Sequence, residues 1–291
     1  MKFIVGCSKG IKAQLFLWFV TLTIPSLSQD MSFVVFPDRI QAINHRIFGH
    51  FLERPNWGGE AGIEYAIDVR TGQLDLQVLE KLKNLEIPVL RFLGGTDIDY
   101  MDWTDMIDLP NRANRPSSLG NAGDTVTNRF AIDDFAHLVH ALNCEAIIPL
   151  NFFDAFLKRV PLDTAAIHAG GLVAYANARK GQTFPMGLQD WPADRAANGN
   201  GGPHGFRYFK IGNETWALWS WKKKLLGEAD IPDPVGWYIT CVKRYVEVIE
   251  AVDPQAEIIV DYVNDEILDG LHREMGDRID YYVFHSYMPW R

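Results

Sequence analysis

The segment Lys210-Ile211-Gly212-Asn213-Glu214 is the strongest candidate for chemistry, because an apolar run ends there in an amide and a carboxylic acid. Trp216 and Trp219 follow closely. A carboxyl group that is partly removed from water keeps its proton to higher pH, so it can serve as a general acid. The amide can bind a sugar hydroxyl, and the indole rings offer flat apolar surfaces. The same residues also fit an ordinary helix start with an exposed carboxylate.

Other polar side chains occur where short apolar runs end. Six such runs recur along the chain, at 46–53, 88–95, 145–152, 207–214, 256–263 and 281–287. The polar residues at or near their ends are Glu53, Arg91, Asn151, Asn213, Glu214, His285 and Tyr287. We predict a strand for each run. We also predict that these polar residues share one site.

Helical patterns separate the predicted strands. Apolar residues recur every three or four positions over 74–85, 132–142, 165–178 and 235–252. Alternating strands and helices predict an α/β fold with parallel strands and right-handed crossovers. Both a doubly wound sheet and a (β/α)8 TIM barrel fit. The chain has no glycine-rich nucleotide loop, and its polar residues collect at the strand ends, where a barrel holds its active site. We therefore favour the barrel, with about six β/α units in this chain.

The composition narrows the class of protein. The 291 residues are 47% hydrophobic and 22% charged, which is typical of a globular protein and not of a disordered or coiled-coil one. The net charge of −9 argues against a nucleic-acid partner, since phosphate backbones would be repelled. His45 and His50 face opposite sides of the predicted first strand, so they do not form a metal pair. We predict no metal site.

The N-terminus resembles a secretory signal peptide. Lys2, Lys9 and Lys12 precede an apolar run over 15–24, and small residues follow at 26–28. We predict cleavage after about Ser28, a secreted or periplasmic protein, and no membrane span in the mature chain. An uncleaved membrane anchor is the alternative, but about ten apolar residues are too few to span a bilayer. Residues 29–45 would then form an N-terminal strand and lead-in, and residues 46–291 an incomplete catalytic barrel.

Two insertions interrupt the regular alternation. Residues 96–130 contain Asp97, Asp99, Tyr100 and Trp103, and residues 181–206 are rich in Gly, Pro and Asn. Long loops without secondary structure in a compact domain are often functional. We predict that both insertions overhang the C-terminal ends of the strands.

Several segments, taken in order, resemble one known family. They are 44–53, 89–95 (VLRFLGG), Tyr100 with Trp103, Asn151, 211–214 (IGNE) and 285–287 (HSY). Together they resemble the α-L-arabinofuranosidases of glycoside hydrolase family 51, which belong to a clan of retaining enzymes with (β/α)8 barrels. The resemblance runs from about residue 44 to residue 287. Gly-Asn-Glu alone is shared across much of the clan, whereas the ordered set is more specific.

The resemblance implies roles for these residues. Glu214 would be the acid/base, and Asn213 would bind the hydroxyl beside the anomeric carbon. Glu53 and Asn151 would bind further hydroxyl groups, and Trp103 would also contact the substrate. Arg91 would support the nucleophile, and His285 and Tyr287 would border it. The reaction would be retaining hydrolysis of terminal α-L-arabinofuranosyl residues from plant-type polysaccharides, without a cofactor. Thr96 stands where the family has asparagine, which leaves room for Asp97 or Asp99 to contact a different sugar.

The second carboxylate of the reaction has no counterpart in this sequence. A retaining glycosidase needs two carboxyl groups about 5–5.5 Å apart. In the clan the nucleophilic glutamate ends the seventh strand, and we count six strands. We therefore expect the chain as given to be an inactive fragment. The alternatives are another retaining glycosidase of the clan, acting on β-linked xylan, glucan or galactan, and a non-catalytic carbohydrate-binding barrel.

Overall fold

The computed structural model describes residues 42–54, 62–68, 70–107, 114–120, 123 and 125–286. The predicted signal peptide, the lead-in up to residue 41 and Tyr287 lie outside these residues. Residues Ile43–Arg291 belong to one compact unit. No helix among the described residues is long and apolar enough to cross a membrane.

A six-stranded parallel sheet forms the centre of this unit. Its strands lie side by side in the order in which they occur along the chain. They are β1 (His50–Phe51), β2 (Val89–Arg91), β3 (Glu145–Leu150), β4 (Tyr208–Ile211), β5 (Glu257–Asp261) and β6 (Tyr281–Val283). A doubly wound sheet would reverse its strand order part-way. The uninterrupted order is that of a (β/α)8 barrel, of which the described residues supply six strands, as predicted.

Helices return the chain between the strands. They are α1 (Leu76–Asn84), α2 (Ile132–Leu142), α3 (Phe153–Phe156), α4 (Leu162–Asn177), α5 (Trp191–Ala197), α6 (Lys223–Glu228), α7 (Pro234–Val252) and α8 (Asp265–Met275). The four predicted helices are confirmed as α1, α2, α4 and α7. The side chain of Asp233 accepts a hydrogen bond from Gly236 N at the start of α7, where Pro234 takes the first helical position. The helix ends before Asp253, as predicted.

The first predicted strand is shorter than its apolar run. His45–Phe48 forms a 3-10 helix, and only His50–Phe51 pairs with β2. The side chain of Asn44 caps the 3-10 helix by accepting from Arg46 N at 3.0 Å. The guanidinium of Arg46 pairs with Glu145 at the start of β3. The prediction of a strand over 46–53 is therefore wrong at its first half, because local capping outweighs the apolar pattern there.

The segment 181–206 does not overhang the C-terminal ends of the strands. It contains α5, whose buried Arg195 donates to the carbonyl oxygens of Tyr175 and Ala178 at the end of α4. The backbone N–H of His204 donates to Ala176 O at 2.7 Å. Because α4 runs from the C-terminal end of β3 back toward the start of β4, these contacts lie at the opposite face. The Gly-, Pro- and Asn-rich composition belongs to the connection from α4 to β4. Our prediction that this segment overhangs the strand ends was wrong.

Close packing of α4 against α7 leads to a stability prediction. Gly170 in α4 lies so close to Val248 in α7 that an added Cβ atom would overlap Val248 Cγ1. A valine side chain is stiff, so the helices would have to separate. We expect Gly170→Ala to lower the free energy of unfolding by about 1–3 kcal/mol in urea titrations, although alanine favours helix. Gly227→Ala in α6, where nothing lies within 4 Å, is the matched control and should not destabilise.

Candidate active site

A cavity of about 750 Å³ extends from the residues before β1 and the start of β2 to the C-terminal ends of the strands. Its volume is in the range of sites that bind small molecules. Its lining includes Glu53, Arg91, Thr96, Asp97, Asn213, Glu214, Trp216, Trp221 and His285. These residues come from the ends of β1, β2, β4 and β6, so the alternation of strands and helices is what brings them together.

Glu214 sits on a tight backbone turn that follows β4. Gly212 has φ +72° and Glu214 has φ +50°, which is a left-handed conformation that non-glycine residues rarely adopt. A Cβ atom on Gly212 would lie 2.6 Å from Thr215 Cγ2, so this position requires glycine. Strained backbone of this kind persists only where the surroundings hold it. The Glu214 side chain itself is 17% exposed, which leaves it at the cavity wall.

A buried ion pair beneath the turn supplies that support. Lys210 Nζ lies 2.8 Å from Asp261 Oδ1 and donates to Gly212 O at 2.7 Å. Asp261 Oδ2 accepts from Thr215 N at 2.8 Å. Burial alone would raise the pKa of Asp261, but the charge of Lys210, the nearby ring of His285 and the hydrogen bond from Thr215 outweigh it and lower the pKa to about 2. Burial lowers the pKa of Lys210, and the negative charge of Asp261 only partly offsets that change.

His285 lies between two carboxylates. Its Nδ1 is 3.1 Å from Glu214 Oε1, and its Nε2 is 3.6 Å from Asp261 Oδ1. Burial would lower the pKa of the imidazole, yet the two nearby carboxylates of Asp261 and Glu214 outweigh burial and raise it. The ring also lies near Trp216, with 6.2 Å between centroids. The end of β6 is thereby joined to the ends of β4 and β5.

Glu53 and Arg91 also line the cavity. Glu53 Oε1 accepts from the backbone N–H groups of Arg54 at 3.0 Å and Gly95 at 3.1 Å. Burial raises the pKa of Glu53, and these two hydrogen bonds oppose the rise. The guanidinium of Arg91 lies 4.1 Å from the centroid of the Phe51 ring. A Cβ atom on Gly95 would lie 3.2 Å from Glu53 Oε2, so a larger residue would crowd that carboxylate.

The cavity contains buried polar atoms that make no hydrogen bond within the described residues. Asn213 Oδ1 and Trp216 Nε1 are examples. The amide nitrogen of Asn213 makes a long contact, 3.5 Å to Thr96 Oγ1. An acceptor and a donor of this kind are expensive to leave unsatisfied, so they are suited to a ligand that carries hydroxyl groups. The described residues contain no group of three or more His, Cys, Asp or Glu able to hold a metal ion.

Comparison with known families identifies the domain. The family model described as "Alpha-L-arabinofuranosidase 1 domain" matches residues 81–288, more than two thirds of the chain. This chain belongs to that family. The match spans β2 to β6, and it includes the lining of the cavity except for the residues between 46 and 53.

Curated relatives in the arabinofuranosidase family carry matching names. A probable alpha-L-arabinofuranosidase C from Aspergillus flavus is 29% identical over 203 residues, 68% of this chain and 37% of that protein. Its counterpart from Aspergillus niger is 30% identical over 62% of this chain and 33% of its own length. The intracellular exo-alpha-(1->5)-L-arabinofuranosidase 1 of Bacillus subtilis is 26% identical over 76% of this chain and 39% of its own. The chain thus spans less than half the length of these arabinofuranosidases.

A solved structure of the arabinofuranosidase family agrees with the fold. The alpha-L-arabinofuranosidase of Thermotoga maritima, in complex with arabinose, is 25% identical to this chain with a TM-score of 0.64. The alignment covers 84% of this chain and 46% of that one. The likeness supports a partial (β/α)8 barrel of the arabinofuranosidase type.

Two residues predicted for the arabinofuranosidase site lie elsewhere. Asn151 and Trp103 line a separate, smaller crevice. Asn151 Nδ2 donates to Asp154 Oδ2 at 2.8 Å, and Trp103 Nε1 donates to His168 O at 3.0 Å. Five predicted residues, Glu53, Arg91, Asn213, Glu214 and His285, do share the cavity. Tyr287 lies outside the described residues.

Two aspartates of the 96–130 insertion lie in different places. Asp97 lines the cavity of this arabinofuranosidase domain, whereas Asp99 is fully buried and accepts from the N–H groups of Phe152 and Phe153. Burial raises the pKa of Asp99 to about 6. Asp99 therefore supports α3 and does not line the cavity, whereas Asp97 does.

Sequence reasoning missed parts of the arabinofuranosidase cavity. Trp221 lines it and was not singled out. Trp219, which we paired with Trp216, packs against Phe156 and Tyr238 instead. The sequence did contain a signal for the buried ion pair. Lys210 is a charged residue within an apolar strand, and such a residue needs a buried partner of opposite charge.

Proposed function

We propose that the whole protein is a retaining α-L-arabinofuranosidase and that Glu214 is its acid/base. The cavity carries this proposal. It is large enough for a sugar ring, and it holds the half-buried Glu214 beside an unsatisfied amide oxygen and an unsatisfied indole N–H. The names of the curated relatives and the arabinose bound to the Thermotoga maritima structure support the choice of sugar.

Each side chain would perform one task in such a reaction. Glu214 would protonate the leaving oxygen as a carboxylate attacks the anomeric carbon, and would then deprotonate the incoming water. Asn213 would bind a hydroxyl group through the amide that has an unpaired oxygen. Glu53, held by two backbone N–H groups, would accept from a further hydroxyl. We assign no nucleophile among the described residues.

A panel of 4-nitrophenyl glycosides tests the choice of sugar. The full-length natural protein should hydrolyse the α-L-arabinofuranoside with a kcat/KM at least tenfold above those for the β-xyloside, β-glucoside and β-galactoside. Faster turnover of one of the β-glycosides would replace our proposal by another glycosidase of the clan. Sugar binding without turnover of any substrate would indicate a carbohydrate-binding barrel instead.

Residues 29–291 expressed alone should release no sugar from the arabinofuranoside. The cavity carboxylates in the described residues are Glu53, Asp97 and Glu214, and Glu53 is already held by two N–H groups. Asp261 is not a candidate nucleophile, since it is fully buried and paired with Lys210. Colorimetric assays with the purified fragment check this. Measurable turnover would direct mutagenesis to Glu53 and Asp97.

We also propose a secreted or periplasmic location. The support is the lysine-rich start, the short apolar run over 15–24 and the small residues at 26–28. Mass spectrometry of exported protein should find an N-terminus near Gln29. Exported protein that retains Met1 would contradict cleavage.

A further inference from the structure

We propose that Asp261 and His285 act together as positioning residues for Glu214, with a cationic imidazole that strengthens Glu214 as an acid. This inference rests on the proposed role of Glu214. Its basis is geometric, because the two ring nitrogens of His285 face two different carboxylates, Glu214 at 3.1 Å and Asp261 at 3.6 Å. A neutral imidazole has one N–H to donate, whereas a cationic one can donate to both.

The groups around His285 favour the cation. Glu214 faces the ring from the end of β4, and Asp261 faces it from the end of β5. Lys210, from inside β4, is the opposing positive charge, but it is already paired with Asp261 at 2.8 Å. Trp216 closes another side of the ring and carries no charge. A side chain flanked by two carboxylates stays protonated to higher pH than a free histidine.

The cation would assist the step in which the leaving group departs. Protonated Glu214 transfers its proton to the glycosidic oxygen, the bond from that oxygen to the sugar breaks, and Glu214 becomes a carboxylate. His285 keeps both of its protons and donates to the carboxylate that forms. A hydrogen bond that strengthens as charge develops lowers the barrier. Asp261 would fix the ring and keep it charged, as a carboxylate orients a catalytic imidazole in other enzymes.

The pH profile of His285→Gln tests the proposal in the full-length natural protein. Glutamine can still donate to Glu214 but carries no charge. With a phenyl arabinofuranoside, whose leaving group is poor, kcat/KM should fall about 10- to 100-fold, because a hydrogen bond from a charged donor becomes one from a neutral donor. Without the neighbouring cation Glu214 should hold its proton to higher pH, so the alkaline limb of kcat/KM should move up by about one unit.

His272→Gln is the matched control. His272 is an exposed histidine on α8 whose ring packs 5.4 Å from that of Tyr282, away from Glu214. It should leave both the rate and the profile unchanged. An alkaline limb that stays in place in His285→Gln, or moves to lower pH, would overturn the proposal even if the rate falls.

A second measurement does not depend on turnover. In protein labelled at the histidine rings, NMR should show His285 titrating above 6.5, since its pKa is raised in the fold. Its protonated form is then present below that pKa and lost as the pH rises through it. Glu214→Gln and Asp261→Asn should each lower the midpoint, provided that circular dichroism shows the variant folded. A midpoint that neither change moves would refute the pairing, whereas an inactive wild type with coupled midpoints would refute only the glycosidase function.

Discussion

Glu214→Ala should lower kcat/KM for a phenyl arabinofuranoside by about 10²–10⁴ in the full-length protein, because a general acid typically contributes that factor. With a 2,4-dinitrophenyl leaving group the loss should be much smaller. That leaving group departs without a proton, so its kcat/KM depends little on the acid. Removal of an acid/base therefore lowers kcat/KM much more for one substrate than for the other. Removal of a residue that only shapes the cavity should lower kcat/KM equally for both.

The control for this experiment is Glu228→Ala. Glu228 lies at the end of α6 and pairs with Lys224 on the surface, with 57% of its side chain exposed. Both substrates should be hydrolysed at wild-type rates by this variant. If Glu214→Ala reduced kcat/KM equally for the two leaving groups, the acid/base would have to be sought at Glu53 or Asp97, the other carboxylates of the cavity in the described residues.

The strand order could be predicted because the apolar runs and helical patterns alternate regularly. Each run has the length of a buried strand, and each helix returns the chain so that the next strand pairs with the last. Boundaries were less predictable. Asn44 begins a 3-10 helix inside the first apolar run by accepting one hydrogen bond, and no periodicity reports such a contact.

Membership of the cavity was only partly predictable. A residue at the end of a strand lies at a known position along the barrel axis. Its place in the sequence does not determine which neighbouring side chain it contacts. Asn151 ends β3 as predicted, yet Asp154 lies one helical turn further along and takes its amide at 2.8 Å. Glu214, by contrast, contacts a residue that is distant in sequence. Its contact is His285, 71 positions later, which only the folded sheet brings to 3.1 Å.

The buried pair of Lys210 and Asp261 explains how the strained turn at Glu214 is maintained. Lys210 donates to the carbonyl oxygen of Gly212, and Asp261 accepts from the N–H of Thr215. The pair therefore fixes the turn on both sides of Glu214. Lys210 therefore connects the packing of β4 and β5 to the position of Glu214, the candidate acid. This gives Lys210 a large expected effect on stability, even though the cavity lining does not include it.

Lys210→Met should lower the free energy of unfolding by about 3–5 kcal/mol in urea titrations, because it leaves the Asp261 carboxylate buried without its cation. Methionine keeps most of the volume, so a cavity adds little. The double variant Lys210→Met/Asp261→Asn should be more stable than Lys210→Met, since asparagine removes the uncompensated charge and can still accept from Thr215 N. Lys224→Met breaks an exposed pair with Glu228 and should cost less than about 1 kcal/mol. If Lys210→Met proved as mild as Lys224→Met, or if the second change restored nothing, the pair would not be what holds the turn.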